Sequence, residues 1–204
     1  MCGVYRLTTA PEKVRERFGF VEREAFPPRA TIRPGEPVGI VRLEEDGRRH
    51  FRLALWGLVP GWMKEWPKGR RMINARAETL LQRPFFRGAA RYRRCLVPAD
   101  GFYEFTGPKG ARRPVLFTLP DERAFAMAGL WEHWQGADGS EVETMVIITV
   151  AANADVAAVH ERMPALLRRE HWAAWLDARN VRAEEAVRLL QPAPDGMLRL
   201  AETG

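Results

Sequence analysis

Cys2, second in the chain, offers the most chemistry of any residue. Met1 is removed when the next side chain is small, so the mature protein is expected to start at Cys2 with a free α-amine. One residue then carries an amine and a thiol on adjacent carbons, titrating in unperturbed form at about 8 and about 8.5. The amine condenses with an aldehyde to an imine, and the thiolate closes a thiazolidine ring on the same carbon. The pair also suits acyl transfer, with the thiolate as nucleophile and the amine as base. Position alone does not separate these readings from an arbitrary second residue.

Three later segments bear on the choice. In Met72-Ile73-Asn74-Ala75-Arg76-Ala77-Glu78, Asn74 can orient a carbonyl oxygen or a hydroxyl, and Arg76 can hold a phosphate. Asn74 equally suits capping the helix expected after it, which taken alone is the commoner role. In Asp100-Gly101-Phe102-Tyr103-Glu104-Phe105, a strand puts Phe102 and Glu104 on one face and Tyr103 and Phe105 on the other. A carboxyl among aromatic rings is poorly solvated, which raises its pKa and fits it for proton transfer; an outward-facing glutamate on an edge strand is the alternative. In Val159-His160-Glu161-Arg162-Met163-Pro164, His160 can serve as acid, base or anion donor, with Arg162 near enough to share a phosphate. A helix-end histidine satisfied by local backbone is the competing reading. His50, His133 and His171 have no supporting neighbours in sequence and receive no role.

A loop over residues 56–71 interleaves Trp56, Trp62 and Trp66 with Lys64, Lys68, Arg70 and Arg71. Aromatics stack on unpaired bases while cations track the backbone. Trp62 and Trp66 fit that use; Trp56, which ends a strand, is expected in the core. Cys95 lies in the apolar run Cys95-Leu96-Val97-Pro98 and reads as a buried strand cysteine. No pair of cysteines or histidines has metal-ligand spacing. No glycine loop matches a nucleotide fingerprint, so no cofactor is expected.

The elements that must position these residues are short. Helices are expected over 11–18, 77–82, 86–92, 155–160, 170–178 and 183–190. A hairpin is expected from 38–43 and 51–56, turning at Glu45-Asp46-Gly47. Further strands are read at 96–97, 101–105, 115–119, 125–131, 143–150 and 197–200, with residues 20–37 as a Pro- and Arg-rich loop. Many short strands with peripheral short helices predict an α+β fold, a mostly antiparallel, barrel-like sheet in a single domain over 1–204.

The chain has 204 residues, enough for one large domain, with 46% hydrophobic and 28% charged residues, a globular balance. No apolar run is long enough to span a bilayer, and no secretion signal is evident, so a cytoplasmic protein without membrane contact is expected. Two cysteines cannot staple a fold of this size. The net charge of +6 favours a polyanionic partner, nucleic acid above all.

Met-Cys-Gly at the start, Ile-Asn-Ala-Arg-Ala-Glu-Thr, Val-Pro-Ala-Asp-Gly-Phe-Tyr-Glu and His-Glu-Arg-Met-Pro, in that order, together resemble the SOS-response-associated peptidase (SRAP) family. Trp56-Gly57-Leu58-Val59-Pro60-Gly61-Trp62 and Cys95-Leu96-Val97-Pro98 extend the resemblance over nearly the whole chain. It implies a sensor of abasic sites in single-stranded DNA that crosslinks the ring-opened sugar aldehyde as a thiazolidine, acting as a monomer and nucleoid-associated when bound. Carried over by motif, Cys2 is the nucleophile after loss of Met1. Asn74 orients the sugar and the chain end. Glu104 shuttles protons, and His160 assists sugar opening and holds the adjacent phosphate. Arg76, Arg162 and Trp62 contact DNA. Lyase-type and self-reversal chemistry are implied alongside. The chain departs from the family at Val4, where arginine is common and Arg6 is a possible substitute, at Thr31, where asparagine is usual, and at Phe105, where tryptophan is usual. Two other readings stand beside this one: an N-terminal-nucleophile peptidase or amidohydrolase with Asn74 as oxyanion donor, and a non-catalytic single-strand binding module.

Overall fold

Branched and aromatic residues recur at strand spacing along the chain. The computed structural model, which describes residues 2–23, 27–108 and 110–201, pairs them into two sheets. In chain order the strands are β1 (Val4–Leu7), β2 (Arg29–Ile32), β3 (Pro37–Leu43), β4 (Arg49–Trp56), β5 (Asn74–Arg76), β6 (Arg94–Ala99), β7 (Gly101–Thr106), β8 (Arg113–Thr118), β9 (Phe125–Gln135), β10 (Glu141–Ala151), β11 (Arg162–Pro164), β12 (Leu166–Leu167) and β13 (Arg199–Ala201). Helices α1 (Pro11–Phe18), α2 (Pro84–Tyr92), α3 (Ala154–Ala157), α4 (Trp172–Leu176) and α5 (Ala183–Ala186) lie between them.

Five strands close on themselves. β10 pairs with β4, β4 with β3, β3 with β6, β6 with β9, and β9 returns to β10. Only the β4–β10 pairing in this ring is parallel, so the barrel is mixed. A barrel this narrow is filled by side chains and holds no channel. That explains β10, whose residues Thr144 to Val150 are buried without alternation: one face fills the barrel and the other is covered. β5 and β11 extend the wall from β10, and β12 extends it from β9. The second sheet runs β13-β8-β7-β1-β2 and carries the segment that follows Cys2. The expected α+β, barrel-like single domain is the observed one.

Departures from expectation have local causes. Residues 20–37 hold the edge strand β2, paired to β1; an edge position tolerates the prolines around it. The helix expected over 77–82 shrinks to a 3-10 turn at Ala77–Thr79, squeezed between β5 and Pro84, which opens α2. The segment after α3 is non-helical, and Pro164 lies in β11 rather than past a helix end.

Asp100 ties the two sheets' connections together. It is 1% exposed, and its Oδ2 accepts from the backbone N–H groups of Thr8 and Thr9 at 2.6 and 2.7 Å and from both hydroxyls at 3.0 and 2.9 Å. Arg6 Nε lies 3.1 Å from its Oδ1. Removing a buried charge acceptor strands these donors, so Asp100→Ala is expected to cost about 3 kcal/mol. Urea denaturation checks this, and a cost below about 1 kcal/mol would mean that the strand ends are held by other contacts.

His50, given no role from sequence, is well partnered. Its Nδ1 lies 2.7 Å from Glu22 Oε1 and its Nε2 2.9 Å from Asp46 Oδ2. Burial disfavours the imidazolium, but the hydrogen bonds it donates to Asp46 and Glu22 outweigh it, and the pKa is raised. A raised histidine stabilises fully below its unfolded value of about 6.5, and the contribution disappears as pH rises through the higher folded value. Thermal melts of wild type and His50→Gln should therefore differ most below pH of about 6.5 and converge as pH rises past the higher folded value. Equal gaps at every pH would contradict the charged pairing.

Candidate active site at the start of the chain

Cys2 lies immediately before β1 and is fully buried. Its Sγ–H points to the Val4 carbonyl oxygen at 4.0 Å. Burial pushes the thiol pKa well up, and the nearby Glu104 carboxylate pushes it further. The partly ionised thiol expected from reference values is therefore not the resting state: the sulfur is held as S–H, and forming a thiolate requires a base. Cys95 is equally buried, in β6, with its thiol pushed up by burial, which fits the inert strand role.

Glu104 is the carboxyl that acts on this thiol. β1 pairs with β7 in the register Val4 opposite Tyr103 and Tyr5 opposite Phe102. Continuing the register brings Glu104 level with the residues just before β1. The predicted alternation holds: Phe102 and Glu104 are buried, at 0% and 2% exposure, whereas Tyr103 is half-buried and Phe105 is 38% exposed. Burial raises the Glu104 pKa, and the nearby His160 pulls it back. Thiol, carboxyl and imidazole thus form one electrostatic group.

His160 follows α3, its N–H donating to the Val156 carbonyl at 3.0 Å. Its Nδ1 accepts from the Arg162 backbone N–H at 2.9 Å, which leaves the neutral ring with its proton on Nε2. The Arg162 side chain is engaged: its guanidinium donates to both Glu78 oxygens at 2.6 and 2.9 Å and to the Thr149 carbonyl at 2.7 Å. Glu78 sits inside the motif quoted from sequence, but its partner lies 84 residues away, and no local pattern points to it. Because the pair braces the backbone that holds His160, Glu78→Ala is expected to change stability by less than about 1 kcal/mol while shifting the pH dependence of whatever step His160 serves. An unchanged pH profile would remove that brace from the account.

Asn74 does not cap a helix. It lies in β5, opposite Ile147 of β10, and Arg76 precedes the following turn. Asn74 is 8% exposed, and neither its Oδ1 nor its Nδ2 has a hydrogen-bond partner among the described residues. Two unmet polar atoms at such a position are costly, and they are free to hydrogen-bond a group that enters beside them. They border a cavity of about 610 Å³ whose wall includes Trp56, Met72, Arg76, Arg83 and Phe86. Trp56, buried as expected, also packs its ring 5.3 Å from that of Tyr5, and so joins this cavity to the strand that follows Cys2. Arg70, Arg71, Arg76 and Arg83 make the mouth cationic. Arg83 and Phe86 drew no notice in sequence, because their position depends on how α2 docks.

The tryptophan loop divides. Trp62 is 66% exposed. Trp66 is half-buried, edge-on to Trp134 at 5.0 Å with Arg71 over its ring, which leaves less of it for a base. Arg6, the possible substitute at the Val4 departure, is engaged by Asp100. The expected removal of Met1 concerns a residue outside those described. Among the described residues, no group of histidine, cysteine, aspartate and glutamate side chains is placed to hold a metal, and no helix is long and apolar enough to cross a membrane.

The fold and site define a class: a mixed β-barrel domain with a buried cysteine at the start of the chain, a buried glutamate that acts on its thiol and is itself acted on by a histidine, and an arginine-rimmed cavity bordered by Asn74. The chain belongs to the SOS response associated peptidase (SRAP) family, whose model matches residues 1–203. It is 34% identical over 197 residues to the abasic site processing protein YoqW of Bacillus subtilis (strain 168), an alignment covering 94% of this chain and 87% of that one. It is 36% identical over 162 residues to the abasic site processing protein HMCES of Gallus gallus, covering 68% of this chain and 48% of the relative. A crystal structure of a protein from Bacteroides thetaiotaomicron superposes with a TM-score of 0.88 at 25% identity, covering 98% of this chain and 90% of that one.

Proposed function

We propose that this protein processes abasic sites in DNA by capturing the ring-opened sugar of a single strand on Cys2. The amine of a chain processed at Met1 adds to the C1 aldehyde, and one water leaves to give an imine. The Cys2 sulfur then adds to the imine carbon while the nitrogen takes up the proton lost by the thiol, closing a thiazolidine. Glu104 relays protons in both steps, and His160 protonates the sugar oxygen on ring opening and holds the neighbouring phosphate. The unmet oxygen and nitrogen of Asn74 fix the sugar and the chain end. Arg76 and Trp62 meet the flanking strand, with Trp66 and Arg162 in supporting contact. Two relatives named as abasic site processing proteins support the substrate. The observation that carries the reading is the fully buried Cys2 just before β1, where the β1–β7 register brings up the buried Glu104: a protonated sulfur near a carboxyl able to deprotonate it suits ring closure on an imine.

The test is incubation with three DNAs: a single strand bearing one abasic site, the same strand intact, and an abasic duplex. A band that survives denaturation is expected with the abasic single strand. Absence of that band, or its equal appearance with intact DNA, would overturn the reading.

A further inference from the structure

A second surface lies beside the cavity, and of its lining the proposed function uses Trp62 alone. Helix α2 begins at Pro84, and its start separates two hollows. Arg83 and Phe86 face the Asn74 cavity, whereas Pro84, Arg87, Arg91 and Tyr92 line a groove of about 650 Å³ on the other side, with Trp62. The crossing between them is aromatic. Phe86 packs edge-on against Phe85 at 5.2 Å, and Phe85 against Trp62 at 6.4 Å.

The groove's chemistry is that of an unpaired strand's path. Trp62 and Tyr92 are 66% and 70% exposed, more than any other large hydrophobic side chain among the described residues. Exposed rings of this kind stack on bases whatever their sequence. Arg87 and Arg91 are exposed and four residues apart on α2, so they stand about 6 Å apart on one helix face. The carboxylate that borders the groove, Glu132, is neutralised by Arg93 at 2.9 Å. The groove is therefore cationic as well as aromatic, and a polyanion with stacking bases matches both properties; an acidic protein surface would match only the first.

We infer that the α2 groove binds the nucleotides of single-stranded DNA flanking the captured sugar on one side, with Arg87 and Arg91 on phosphates and Tyr92 under a base. This rests on the proposed function, since the strand enters the groove from the Asn74 cavity. Its consequence is one-sided: lengthening the strand on one side of the lesion strengthens binding, and lengthening it on the other does not.

The experiment is fluorescence anisotropy with strands holding a non-reactive abasic analogue, either about 6 nucleotides long or extended to about 16 on each side in turn. Wild type is expected to gain affinity from one extension. Arg87→Glu/Arg91→Glu should lose that gain, and its log–log salt slope on the extended strand should fall by about 1.4. Tyr92→Ala, at an exposed position that folding does not depend on, should weaken extended-strand binding about tenfold. Variants that gain from extension as wild type does, with an unchanged salt slope, would overturn the inference and leave the face to a protein partner or to solvent. Failure of the proposed function is read separately, as absence of a covalent product between wild type and the short reactive strand.

Discussion

Cys2→Ala forms no denaturation-resistant product with abasic DNA, while its non-covalent affinity for the strand falls by less than about threefold. The substitution removes the only atom able to close a ring on the imine carbon. An imine to the chain-end amine remains possible, but it hydrolyses, so it is seen only when trapped by a reductant. The methyl of alanine fills part of the space of the buried sulfur, so the site keeps its shape and the loss reports on chemistry. A denaturing gel with and without borohydride reads both states. Stable product at wild-type yield without reductant would show that another nucleophile does the work.

Glu104→Gln slows product formation by about 10²- to 10⁴-fold, the range for loss of a positioned acid or base. The size follows from two facts about burial. The thiol is held protonated, so ring closure must wait for a base. The carboxyl has its own pKa raised, so it can both give a proton to the departing water and take one from sulfur near neutrality. The sign of the pH effect follows. The carboxylate form is lost as pH falls through a value above the ordinary carboxyl one of about 4.3. Wild type should therefore lose rate in that acid range, and Glu104→Gln should lack that limb. Single-turnover rates across pH measure it. A variant with wild-type rate and the same acid limb would take Glu104 out of the proton path.

Much of this site was legible because strands alternate. The period of two put Glu104 with Phe102 on one face, and the fold keeps them there. The dense branched run at 143–150 read as a strand for the same reason that it fills a barrel wall. The capping alternative for Asn74 fails because its three-residue strand is defined wholly by pairing with β10, more than seventy residues on; local propensity in Ala77-Glu78-Thr79 points to a helix instead. The state of the Cys2 thiol was illegible too, since burial by distant strands, not its neighbours in sequence, sets it. The bidentate Arg162–Glu78 pair belongs to the same group: its members lie 84 residues apart, and the fold alone brings them together.

Intact-mass analysis of the wild-type protein after incubation with abasic single-stranded DNA decides whether Cys2 captures the sugar. The expected species equals the chain without Met1 plus the DNA strand minus one water, with fragmentation placing the added mass on Cys2. A chain that keeps Met1 and gains no mass, or an adduct that maps to a lysine, would contradict it.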